Sequence, residues 1–368
     1  MQGVLEIDGS RFSGSGTIVR QAVAFAALTG REIHIINART RRRRPGLRHQ
    51  HIRAIEAINE LVGGTLTGCV EGSRDVVFCP GPPAGARRYT WDIGSAGSTT
   101  MLTLAVLPVL AFANVPVEAE LRGGVFQDFA PSFFHLRHVM LPLLERMGVA
   151  ATVELRQPGY VPTGGGILQL SVEPAAGALR PLVLDEPPHV TRLWGIALSS
   201  HLEERRVSQR MADAALAELA AAGESAEIET QYEDTALQRG AALAIFAELS
   251  GGTRIGADRA GALRRSAEAI GRYVAHHLLE DLRTGAVVDR HAADQLIPYA
   301  ALAEGESRFR IPVVTEHVLA SAWLAQEFLD ARVSIEDSVV TVRGAGYRGP
   351  AGVVVEALTA DGAQGPGS

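Results

Sequence analysis

VLEIDGSRFSGSGTIVRQAVAFAALTGREIHIINA, residues 4–38, runs strand, glycine turn, helix, strand. VLEID (4–8) is short, apolar and β-rich. TIVRQAVAFAALTG (17–30) is long, Ala-rich and closed by Gly30, which predicts a helix with a left-handed stop. EIHIINA (32–38) returns to strand composition. QHIRAIEAINELVGG (50–64) is then a second helix with a glycine stop, and TLTGCVEG and DVVFCPG are a pair of strands. The same order recurs. YTWDIGSAG leads into a helix over 98–113, VPVEAELRGG is a strand, 133–148 is a helix, and ATVELRQ and GGILQLSVEP are strands. Two successive βαβαββ units imply a structural repeat that sequence identity alone does not display. A third unit is split. LVLDEPPHVTRLWGIALSS (182–200), a helix over 203–223, a strand near AEIETQY and the run ALAIFAEL form a small α+β insertion. The helical pattern of the main body resumes at 266, and EHVLASAWLAQEFL with RVSIEDSVVTVRG closes it. The expected organisation is α/β (α+β): residues 1–183 as two repeats and the start of a third, 184–265 as the small inserted domain, 266–358 as the rest of the body, and 359–368 as a disordered Gly/Ala-rich tail.

The totals agree with such a chain. Its 368 residues suggest two or more domains at roughly 100 to 200 residues each, and 46% hydrophobic with 21% charged residues fits an ordered globular protein. A net charge of −6 supplies no global attraction to RNA or anionic lipid, so any polyanion site must be a local concentration of Arg. Cys69 and Cys79 form no CxxC pair, which argues against structural zinc and against a disulfide scaffold; both are expected to be buried thiols. MQGVLEIDGS lacks the features of a signal peptide and no long uncharged apolar run follows, so the expected location is the cytoplasm.

Three segments carry chemistry. DGSRFSGSGTIVR (8–20) is a glycine-rich strand-to-helix turn whose backbone N–H groups can approach a phosphate, with Arg20 one turn into the helix; it is also what an ordinary turn looks like. ARTRRRRPGLRHQH (38–51) concentrates Arg39, Arg41, Arg42, Arg43, Arg44 and Arg48 ahead of a helix. Guanidinium forks match phosphate oxygens in pairs, which favours a cradle for an RNA end over a merely solvated loop. In HAADQLIPYAALAEGESRFRIPVVTEHVLAS (291–321), Asp294 and Gln295 open an apolar helix and His317 sits at a strand-to-helix junction. A lone histidine there is commonly a cap or core residue; it is equally well placed to act as a nucleophile on phosphorus.

Together, in this order, these segments resemble the RNA 3'-terminal phosphate cyclase family. The resemblance rests on Asp8 to Ser10 with Arg20, Arg39 to His51, Ile93 to Ser98, Gly123 to Pro131, Gly159 to Gly166, Ala293 to Leu296, and His317, and spans nearly the whole chain. It implies three βαβαββ repeats in a cyclase/enolpyruvyl-transferase-like body with a small α/β domain inserted in the third. It further implies an ATP-dependent ligase of RNA processing that converts a 3'-phosphate end into a 2',3'-cyclic phosphate through covalent His-AMP (adenylylation) and RNA-adenylate intermediates, assisted by Mg²⁺ or Mn²⁺. His317 would be the nucleophile. Pro131, His291, Asp294, Gln295, Ser13 and Leu104 would occupy nucleotide-binding positions, and Arg20, Arg39, Arg42, Arg44 and Gln50 phosphate- or RNA-binding ones. Metal ligands are unassigned and a homodimer is left open.

Several positions depart from the family pattern. Ser13 stands where an acidic residue is usual, Thr17 and Leu104 where glutamine is, His291 where another aromatic is, and Val125-Phe126 and Phe134 where polar or acidic residues are. These departures keep two alternatives open: an adenylyl transferase acting on another phosphate or a carboxylate, and a noncatalytic RNA-binding assembly factor. Phe126, Phe129, Phe133 and Phe134 crowd one segment of a chain with only 5% aromatics. Phe133 and Phe134 are expected in the core of their helix, with a base-stacking surface as the alternative.

Overall fold

The computed structural model describes residues 3–186 and 188–349, so the tail expected over 359–368 lies outside the described residues. Three four-stranded sheets repeat one topology. In the first, β1 (Leu5–Asp8) pairs parallel with β2 (Ile33–Ile36), which pairs antiparallel with β4 (Val76–Cys79), which pairs antiparallel with β3 (Thr65–Thr67). The second sets β5 (Arg88–Asp92), β6 (Val117–Gly123), β8 (Gly166–Glu173) and β7 (Ala150–Gln157) in the same relation. The third does so with β9 (Val183–Leu184), β14 (Glu306–Arg310), β16 (Val339–Arg343) and β15 (Arg332–Glu336). Each parallel pair is joined through a helix: α1 (Gly16–Thr29) in the first unit, α3 (Thr99–Leu110) in the second, α8 (Ala293–Leu302) in the third. Each second helix precedes the antiparallel pair: α2 (His49–Val62), then α4 (Phe133–His135) running through a π-helical turn into α5 (Leu141–Met147), and α9 (Glu316–Phe328). The fold is therefore three βαβαββ repeats.

A fourth sheet, ordered β11 (Ala226–Glu233), β10 (Val190–Ser200), β12 (Gly240–Leu249), β13 (Arg254–Ala260), interrupts the third repeat between β9 and α8. Its helix α6 (Val207–Ala221) begins after a short 3-10 turn and a left-handed Arg206. The sequence pattern assigns the helix after residue 266 to the body. Instead α7 (Ala267–Arg283) packs on α6, β12 and β13, so its apolar stripe, including Ile270, Val274 and Leu278, closes the core of the inserted unit. Amphipathic spacing reveals that a helix has one buried face and is silent about which sheet that face meets.

Helix α1 shows how the body is held. Ser15 caps it, accepting from Thr17 N at 3.2 Å, and Gly30 ends it at φ 69°. Ile18, Val19, Val23 and Phe25 are all buried because α2, α3 and α9 surround the helix; apolar between Thr17 and Thr29 except at Arg20 and Gln21, it is stable as a central element. The helix expected over 133–148 forms with a π turn at Leu136–Met140. Pro142 has no N–H for the carbonyl of His138, which accepts instead from Arg254 at 3.5 Å. Phe133 and Phe134 are buried as expected. Cys69 is only half-buried and Cys79 exposed, contrary to expectation: Cys79 follows the inward Phe78 and so points outward on β4.

Candidate active site

An open cleft of about 570 Å³ lies where the repeats meet. Four helices direct their first turns into it. Ser15, Thr17 and Arg20 come from the start of α1, Gln50 and His51 from α2, Asp294 and Gln295 from α8, and His317 from α9. Unpaired N–H groups and the positive ends of the helix dipoles thus converge on one space, which favours anions before any side chain is counted.

His317 is the second residue of α9, whose cap Thr315 accepts from Val318 N at 3.2 Å. Its Nδ1 lies 3.0 Å from Thr17 Oγ1 and 3.3 Å from Ser15 Oγ, so two hydroxyls from the opposite repeat address one ring nitrogen. Nε2 has no hydrogen-bond partner among the described residues. Burial, then the charges of Arg42 and Arg20, hold the imidazole below the ordinary histidine range, against a weaker opposing pull from Glu316. The ring is accordingly neutral at neutral pH, with one nitrogen held and the other free, the state a nitrogen nucleophile requires.

The cations come from the basic loop before α2 and from α1 itself. Arg39, at φ 56°, donates to Gly46 O at 2.5 Å, which pins the basic loop, and Arg42 reaches the cleft with it. Arg20 is lowered to about 10, first by burial and then by Arg39, with Asp294 opposing, and so stays charged at neutral pH. His51 is buried beneath them and accepts from Arg48 N through Nδ1 at 3.2 Å. Burial together with Arg20 and Arg39 drives it down to about 2, so it is a neutral imidazole with its proton on Nε2, a donor toward the cleft. A β carbon on Gly16 would lie 2.3 Å from that Nε2, which explains glycine at the head of α1.

Not every expected residue arrives. His317, Pro131, His291, Asp294, Gln295, Arg20, Arg39, Arg42 and Gln50 line the cleft. Arg44 is exposed and lies outside it. Ser13 stands behind the wall and donates to Ser15 Oγ at 2.9 Å. Leu104 does not line the cleft itself but an adjoining apolar pocket, with Phe25 and Tyr299, that shares Thr17, Arg20 and Gln295 with it. Conversely, His51, Ser15, Thr17 and Arg290 line the cleft without having been expected there. Arg290 is fastened by Asp281 at 2.9 Å and Glu280 at 3.1 Å, both on α7. Its only sequence signal is adjacency to His291. Ser15 and Thr17 carry the pattern of a cap and first turn, which by itself points to α1 alone.

Asp294 is buried beside Gln295, whose Nε2 donates to it at 2.7 Å. Burial raises it to about 6, against the hydrogen bond from Gln295 and the charge of Arg20. An acid raised in the folded state costs stability above its folded pKa, and the cost vanishes below the unfolded one. Asp294→Asn is therefore expected to raise the thermal midpoint at pH 8, by a free energy on the order of 2 kcal/mol, and to leave it unchanged near pH 4. A variant less stable than wild type at pH 8 contradicts this assignment. Among the described residues no group of three His, Cys, Asp or Glu gathers to hold a metal, and Asp294 is the one carboxylate lining the cleft. No helix among the described residues is long and apolar enough to cross a membrane.

Residues 11–335 match the family model described as RNA 3'-terminal phosphate cyclase. Curated proteins carrying that name are similar over nearly the full length. One from Methanopyrus kandleri is 37% identical over 354 residues, covering 93% of this chain and 99% of the relative. One from Hyperthermus butylicus is 39% identical over 310 residues, covering 83% and 86%. One from Methylococcus capsulatus is 38% identical over 342 residues, covering 90% and 93%.

Proposed function

Since this chain belongs to the RNA 3'-terminal phosphate cyclase family, a family of enzymes, we propose that it uses ATP to convert an RNA 3'-phosphate into a 2',3'-cyclic phosphate, with His317 carrying AMP. The observation that carries the reading is His317 itself: neutral, held at Nδ1 and free at Nε2, at the meeting point of four helix N-termini and four arginines. Nε2 attacks the α-phosphorus of ATP, the N–P bond forms, the bond to the β-phosphate breaks and diphosphate leaves. An oxygen of the RNA 3'-phosphate then attacks the same phosphorus and the N–P bond breaks, returning neutral His317 and an RNA-adenylate. The terminal O2' finally attacks the 3'-phosphorus, loses its proton and expels AMP. Arg20, Arg39 and Arg42 hold the phosphates in line and spread the charge that develops on them. Pro131 and His291 offer flanking surfaces for the nucleotide, and His51 a neutral donor for a phosphate oxygen.

Incubating the protein with ATP and an RNA ending in 3'-phosphate is expected to give an end that phosphatase no longer attacks, with one AMP and one diphosphate released per end. RNA ending in 3'-hydroxyl should be inert. If the protein takes up AMP but leaves the 3'-phosphate unchanged, RNA is not the acceptor. The second reading, transfer to a different phosphate or a carboxylate, then stands. If no AMP is taken up, both readings fall.

A further inference from the structure

Phe126, Phe133 and Phe134 are buried against one another, with Phe126 and Phe133 ring centroids 5.2 and 5.6 Å from that of Phe134. Phe129, in the same segment, is fully exposed at 105%. Its backbone is held at φ 66°, the left-handed region that a bulky side chain adopts only at a cost. The loop is nevertheless fixed on both sides of it. Arg265 grips Asp128 through two bonds of 2.9 and 2.7 Å, Thr100 Oγ1 donates to Pro131 O at 2.6 Å, and Ser132 N donates to Asp258 at 2.7 Å. A strained backbone anchored this firmly presents an aromatic ring to solvent that no internal packing requires.

The ring stands at the boundary of two spaces. One is the cleft of His317; the other is an adjoining cavity of about 440 Å³ that shares Arg20, Gln50 and Met101 with it and extends to Gly261 and Ala262 beyond β13. A nucleotide with its phosphate at Arg20 and His317 can place its base past Phe129 in this second cavity. We propose that Phe129 is the stacking platform for the base of the acceptor's 3'-terminal nucleotide, in a subsite distinct from that of ATP; this rests on RNA being the acceptor. A flat aromatic face accepts every base, because each has a π surface. The nearby amide of Gln127 is already used, donating to Ala96 O at 2.7 Å and accepting from Ser98 N at 3.2 Å, so all four terminal bases should be tolerated.

The test uses protein already loaded with AMP, mixed with RNAs ending in 3'-phosphate whose terminal residue either bears a base or is abasic. In the wild type the base-bearing end is expected to react about tenfold faster or more. Phe129→Ala should bring that end down to the abasic rate and leave the abasic rate alone, whereas Phe129→Trp should keep the advantage. Phe129→Gly removes the ring and the backbone strain together; it should lose the advantage while its thermal midpoint rises. Equal slowing of both ends in Phe129→Ala, no slowing of either, or a lower midpoint in Phe129→Gly overturns the proposal. Loading with AMP is measured first, so its absence sinks the cyclase reading separately. Fluorescence anisotropy of the same two RNAs then decides the stacking question: a base-dependent affinity lost in Phe129→Ala supports it, and equal affinities overturn it.

Discussion

Replacing His317 with alanine is expected to remove essentially all protein-bound label after incubation with ATP labelled on its α-phosphate, a loss of about three orders of magnitude or more. The label on wild type should survive denaturation, and γ-labelled ATP should give none. The size of the effect follows from the proposed role: the cleft gathers donors and cations around the free nitrogen of His317, and alanine removes the atom that would form the N–P bond. Retention of label in His317→Ala would sink the assignment. The pH dependence has a definite sign. His317 titrates below the ordinary histidine range, so labelling should persist as pH falls through 6.5 and decline only at lower pH, as the imidazole protonates. Thr17→Val removes one of the two hydroxyls at Nδ1 and should slow labelling by roughly tenfold without abolishing it, because Ser15 still addresses the same atom.

The second large effect is on stability. His135 and Asp289 are both completely buried, and His135 Nε2 lies 3.0 and 2.9 Å from the two carboxylate oxygens. Asp289 also accepts from the backbone N–H groups of Gly256 at 2.8 Å and of His291 and Ala292 at 2.9 Å. One carboxylate thus ties α4, the inserted sheet and the loop bearing His291. Asp289→Ala strands a buried imidazolium and three backbone donors, and should cost about 3 to 5 kcal/mol in chemical denaturation. Burial alone would lower His135, but Asp289, supported by Asp258, raises it overall. Its contribution is full below the ordinary histidine range and is lost as pH rises through the raised value. Asp289 is lowered, its desolvation outweighed by His135, the neighbouring His291 and the backbone donors. Its contribution is present above the ordinary carboxylate range and is lost as pH falls below it. In Asp289→Ala both limbs should flatten. A cost under about 1 kcal/mol would mean that the pair is not the tie described.

Much of this was legible along the chain. Gly30 and Gly63 end α1 and α2 where the sequence stops them, at φ 69° and 55°, because a left-handed stop is a local requirement that glycine meets at least cost. The repeats were legible for the same reason: strand and helix periods are properties of successive residues. The order of motifs likewise pointed to the family and to His317. The errors came where an outcome depends on facing direction. Arg44 belongs to the same basic run as Arg42 but lies outside the cleft. The helix α7 has the right amphipathic spacing and joins the inserted sheet.

By itself the sequence determined which segments are helices and strands, how they repeat, and where imidazole and guanidinium groups are concentrated. Those properties are set by residues within a few positions of one another. Only the tertiary structure decided that Ser15 and Thr17 reach across some 300 residues to Nδ1 of His317, that His51 is a neutral donor under Arg20, and that Phe129 stands exposed while its three neighbours are buried. Each of these depends on which helix ends meet and on how much water remains between them. Burial and the distance between charges set the protonation state and the free face of a side chain, and neither quantity exists until the repeats have packed together.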